Sequence, residues 1–111
     1  MVMSGCADNW QKKTVTGPYY LEKSGENSYY LQLKGHEVEG VGIIEGTVEQ
    51  IGYSNSIILA YRNPCYGGDR AGWMVIDTVT HKITGPISDS ERQKNYKVIP
   101  CASVQAEWEK M

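Results

Sequence analysis

The chain has 111 residues, enough for one domain whose core stays modest. Its formal net charge is −2 and it holds no basic run or stripe, which argues against a nucleic-acid partner. No apolar stretch is long enough to form a membrane-spanning helix, and phenylalanine is absent while tyrosine occurs eight times and tryptophan three times, a profile suited to half-exposed sheet faces and contact surfaces.

Taken in order, residues 7–13 are polar and predict a tether. Thr14 to Thr16 is short and β-prone, and Gly17-Pro18 breaks it. Tyr19-Tyr20-Leu21 resumes an extended run, and Ser24 to Asn27 has turn composition. From Ser28 to Lys34 the pattern alternates, with Tyr29, Leu31 and Leu33 on one face. This is the signature of a half-buried strand, so Tyr19 to Lys34 reads as a hairpin. The glycine-laced stretch Gly35 to Gly46 predicts a short or bulged strand carrying Val41, Ile43 and Ile44. Thr47 to Tyr53 and Ser56 to Arg62 predict two strands joined at Ser54-Asn55. The unbroken run Ile57-Ile58-Leu59 marks the second as central and buried on both faces.

Asn63 to Gly72 predicts a loop, and Trp73 to Asp77 a strand that turns at Thr78 to His81 and returns at Lys82 to Thr84. Gly85-Pro86 is expected to end the sheet. Ser88 with Glu91 three residues later forms a capping box, which opens a helix to about Tyr96. Pro100 predicts the start of a second helix, with Cys101, Val104, Trp108 and Met111 on one face. Strands first and helices last give an α+β fold, mostly antiparallel β. About six short strands form a meander-like sheet, followed by one or two short C-terminal helices.

Catalytic motifs fail on inspection. Gly52 to Ser56 approaches a nucleophile elbow but ends in serine and sits in a hairpin. Gly40 to Gly46 resembles a dinucleotide fingerprint with one residue too many and no βαβ unit around it. No Cys-x-x-Cys is present, and His36 and His81 lie in unrelated segments, so neither a metal nor another cofactor is expected. The domain is therefore read as non-enzymatic. The loop from Asn63 to Gly72 is the favoured contact surface. Tyr66, Asp69 and Arg70 among glycines, with Trp73 just beyond, combine rigid anchors with an adaptable backbone.

Two stretches carry a resemblance. Met3-Ser4-Gly5-Cys6 is similar to the cleavage and acylation site of bacterial lipoproteins, with an aliphatic residue, two small ones and the cysteine that takes the lipid. Trp73 to Ser88 resembles the closing hairpin of small, uncharacterised bacterial lipoproteins. Its aromatic-led strand ends in Asp77, and a Thr-bearing turn, a short return strand, Gly85-Pro86 and a capped helix follow. No basic or apolar leader precedes Cys6. Residues 1–13 are thus expected to be a signal-peptide remnant and tether, and residues 14–111 a single globular domain. The resemblance implies a lipid on Cys6 and a periplasm-facing position. Because Ala7 rather than Asp follows the cysteine, it also implies the outer membrane. Spending Cys6 on lipid leaves Cys65 and Cys101 as an even pair. In an oxidising compartment these are expected to join, closing a loop worth roughly 4 kcal/mol by the chain-entropy model; the alternative is two free buried thiols.

The expected function is an envelope lipoprotein domain that binds another protein, in an inhibitor or immunity-type role by steric occlusion. A structural or assembly lipoprotein, or a small-molecule or glycan-binding module stacking on Trp73 or the tyrosines, are the alternatives. An exposed sheet edge leaves room for a homodimer by edge-strand pairing.

Overall fold

Strands whose successive side chains point to opposite faces build most of this molecule, so each can give at least one face to a core. The computed structural model describes residues 10–25, 27–64 and 70–111. Among them are eight strands and two helices: β1 (Gln11–Thr16), β2 (Tyr19–Lys23), β3 (Tyr29–Leu33), β4 (Gly46–Ser54), β5 (Ile57–Pro64), β6 (Gly72–Asp77), β7 (Ile83–Ile87), α1 (Asp89–Tyr96), β8 (Ala102–Ser103) and α2 (Val104–Lys110). The fold is α+β and antiparallel, as expected. The strands divide into two sheets, of order β1-β2-β3 and β7-β6-β5-β4-β8.

The two sheets pack face to face. Tyr19, Leu21, Tyr29 and Leu31 of the smaller meet Val48, Ile51, Ile58, Ala60, Met74 and Ile76 of the larger, and Val104 and Trp108 of α2 close the end. On the other face of the larger sheet, Leu59, Trp73 and Val75 meet Ile99, with Tyr96 of α1 packed alongside. Strand β5 is central and covered on both sides. Ile58, Leu59 and Ala60 are all fully buried, which explains its continuous apolar run.

Several boundaries differ from the sequence-based expectation. Strand β1 begins at Gln11, so the fold takes in residues read as tether. Lys13 donates to the Trp108 carbonyl at 3.1 Å and lies 4.9 Å from that indole's centre, which ties this strand to α2. Gly35 to Gly46 forms successive turns rather than a strand. Gly42 N donates to Val38 O at 2.9 Å and Gly46 N to Val41 O at 2.8 Å, so the backbone is satisfied locally. Ile44 still reaches the core.

The β4–β5 turn is centred on Asn55-Ser56, one residue later than expected. Both residues have left-handed φ, at 53° and 66°, which suits a two-residue hairpin. This register sends Ile58 to the core between the sheets; a one-residue slip would turn it to the opposite face, against Ile99 and α1.

Gly85-Pro86 does not end the sheet. Strand β7 runs through both residues to Ile87, at an edge where proline's missing donor costs no ladder bond. The capping box at Ser88 and Glu91 is formed and α1 ends at Tyr96. The last helix starts at Val104, capped by Ser103, so Pro100 and Cys101 precede it in extended chain. Of its expected apolar face, Val104 and Trp108 are buried while Met111 is exposed.

Candidate functional site

The expected contact loop lies between β5 and β6. Cys65, Tyr66 and Asp69 fall outside the described residues, as does Cys6. Arg62, only 6% exposed, donates through one guanidinium nitrogen to Ile44 O at 2.9 Å and through the other to Arg70 O at 2.7 Å. A buried guanidinium is costly unless its protons find acceptors; carbonyls from two separate segments serve its two terminal nitrogens, while Nε has no partner among the described residues. The effect is to pin the returning limb of the loop by its backbone and leave the Arg70 side chain exposed. Asn63, on the outgoing limb, donates to the Glu49 carboxylate of the neighbouring strand.

Trp73 is placed differently from its expected role. It is 4% exposed, edge-on to Tyr61 with ring centres 5.4 Å apart, and Arg92 lies 4.7 Å over its face. Its Nε1 donates to Asp89 Oδ1 at 2.7 Å. An indole held this way is a packing element between sheet and helix; its ring faces are not open for a sugar to stack on.

Cys101 is half-buried, with Sγ 3.7 Å from Ile99 O; its expected disulfide partner, Cys65, lies outside the described residues. It lines a cleft of about 420 Å³ with Ile51, Tyr53, Pro100 and Met111.

A second cleft, of about 430 Å³, opens where the turn after β3 meets the β6–β7 hairpin. Asp77 ends β6 by accepting from Val79 N at 2.9 Å and Thr80 N at 3.0 Å, which folds the tip of the hairpin. His81 closes that turn with a left-handed φ of 64°, its amide donating back to Asp77 O at 2.7 Å. This brings its ring to Tyr19, and the phenol oxygen and Nδ1 are 2.6 Å apart. Burial, reinforced by the Asp77 charge, raises the Tyr19 pKa, so the hydroxyl keeps its proton in this bond. Lys34 and His36 line the same cleft, over a wall of Pro18, Leu33, Ile43 and Ile83.

The two histidines that the sequence separates by 45 residues thus border one cavity. No local signal marks this, since the four polar residues come from three different segments. Among the described residues no group of three or more His, Cys, Asp or Glu is placed to hold a metal ion.

The tyrosine pairs also divide unevenly. Tyr19 enters the core, and so does Tyr29, on the face its alternation predicts. Tyr20, on the opposite face, is nearly as buried because its hydroxyl donates to Glu37 at 2.9 Å and Lys12 lies 5.5 Å from its ring centre. No protein-family model matches the chain, and neither a curated protein nor a solved structure does.

Proposed function

We propose that this chain is the periplasm-facing domain of a bacterial lipoprotein, anchored in the outer membrane through Cys6, that binds another envelope protein. Its role is that of an inhibitor or immunity-type protein: the domain covers its partner's working surface and needs no chemistry of its own. The observation that carries this reading is the Arg62 anchor. A buried guanidinium spanning the carbonyls of Ile44 and Arg70 makes a rigid mount for an outward-facing arginine. Such a mount preorganises Arg70 at the loop's returning end, and a preorganised contact residue keeps more of its contact energy as affinity. A lipid anchor adds effective concentration at the membrane, so a modest interface suffices.

The direct test is a pull-down from envelope extract with the soluble domain. One stoichiometric partner is expected, and joint Tyr66→Ala and Arg70→Ala substitution should release it; retention by that variant rules out the loop. Mass spectrometry of the envelope-extracted protein should find Cys6 acylated and, without reductant, Cys65 joined to Cys101. An unmodified Cys6 with both other thiols free would remove the envelope assignment.

A further inference from the structure

We infer that the cleft bordered by Lys34, His36, Tyr19 and His81 is a binding site for a small organic carboxylate with an apolar body. At about 430 Å³, it falls in the lower part of the range of small-molecule sites. Its composition is divided in the way such a ligand requires. Pro18, Leu33, Ile43 and Ile83 provide an apolar wall, and the polar groups along it are an ammonium, two imidazoles and a phenol.

No described residue lining this cleft is acidic. The nearest carboxylates are committed elsewhere. Asp77 accepts from the amides of Val79 and Thr80. Glu37, in the turn beyond Lys34, accepts from the Tyr20 hydroxyl and the Gly35 amide. The cleft therefore presents Lys34 and the imidazoles with no carboxylate in its own lining to compete for them.

One imidazole is held in place. The Tyr19 hydroxyl, on a residue only 1% exposed, is bonded to His81 Nδ1 and holds the ring in one orientation, which leaves Nε2 as the ring nitrogen for a ligand. The ring also sits 5.7 Å from the Tyr19 ring, which restrains its tilt. The left-handed backbone at His81 is what brings the imidazole over the cleft instead of out along the hairpin. Ile83 is exposed at 37% beside it, an apolar side chain on an edge strand with no protein neighbour covering it fully. A ligand that lays a hydrocarbon or aromatic body on Ile83, Leu33 and Ile43 and points its carboxylate at Lys34 and the imidazoles satisfies both halves of the cleft. Charge-assisted bonds make the anion the discriminating part.

The test uses the full chain, ¹⁵N-labelled, titrated with phenylbutyrate and separately with its neutral analogue phenylbutanol, followed by amide chemical shifts. Phenylbutyrate should bind saturably with a dissociation constant on the order of a millimolar, as a ligand of its size allows. Its shifts should centre on Lys34, His36, Ile43, His81 and Ile83. Phenylbutanol should bind about tenfold more weakly, and Lys34→Gln, at an exposed position that leaves the core intact, should weaken phenylbutyrate by about the same factor. Arg70→Ala should change nothing, which separates this site from the contact loop. Equal binding of acid and alcohol, an unchanged affinity in Lys34→Gln, shifts centred elsewhere, or no saturation by about 10 mM would each overturn the inference.

Discussion

The indole nitrogen of Trp73 donates to Asp89 Oδ1 at 2.7 Å, so a residue of the sheet is bonded to the first turn of the helix that covers it. Arg92, one turn further on, places its guanidinium over the same ring. Replacing Trp73 with Phe keeps an aromatic ring but removes the donor and part of the volume. The expected loss is roughly 2 kcal/mol, combining one charge-assisted bond with an underfilled site. Urea denaturation of the variant measures it, and a loss under about 0.5 kcal/mol would mean the bond contributes little.

Gly52 lies where strand β4 passes the chain leading to β8. A Cβ there would sit 2.3 Å from the Pro100 carbonyl oxygen and 2.6 Å from the Cys101 sulfur. The carbonyl belongs to backbone and cannot swing aside. Gly52→Ala should cost about 1–3 kcal/mol, the usual range for overpacking. It should also loosen the Gln50–Ser103 and Ile51–Ala102 pairings, so in protein reduced beforehand Cys101 should react faster with a thiol reagent. An unchanged reaction rate would show that the strand end does not move.

Tyr20 is pushed up to about 12, first by burial and then by its bond to Glu37. The fold therefore favours the neutral phenol. Its contribution to stability is complete below the ordinary tyrosine value of about 10 and is lost as pH rises from there toward 12. Glu37→Gln removes the negative charge, so the Tyr20 phenolate should form at lower pH in an ultraviolet titration. A titration curve identical to that of the parent would assign the whole shift to burial.

Asp77 behaves in the opposite sense. The amides of Thr80 and Val79 hold its carboxyl below the usual aspartate value. The stability this confers is present above about pH 4 and is lost as pH falls through the lowered value. Asp77→Ala should make the protein less stable at neutral pH and flatten its acid-side loss in melts below about pH 4. Parallel acid curves for parent and variant would locate the acid sensitivity elsewhere.

Where one local rule decides an element, the chain is readable. Ser88 and Glu91 satisfy each other's backbone amides, which needs only four residues, and α1 starts there. The alternation in Tyr29 to Leu33 and the apolar run in β5 needed only a count of period and length. Gly35 to Gly46 was misread because Val41, Ile43 and Ile44 look like strand residues. Most of the segment's backbone bonds close locally, with Gly40 and Gly42 left-handed, and Ile43 N reaches β3 at Leu31 O without forming a ladder. Trp73 was read as a surface ring for a related reason. A tryptophan beside a loop carries no mark of which face it takes until α1 covers the sheet.

The sequence by itself determined the antiparallel α+β class, the central place of β5, the helix start at Ser88 and the turn chemistry at Asp77. Each depends on residues within a few positions of one another, where backbone geometry and periodicity act alone. The tertiary structure decided that the strands form two sheets, that Arg62 reaches the carbonyls of both Ile44 and Arg70, and that Tyr19 meets His81 across 62 residues. Those arrangements follow from burying two apolar faces against each other. That packing gathers distant polar groups at the sheet ends, and no spacing along the chain encodes which of them will meet.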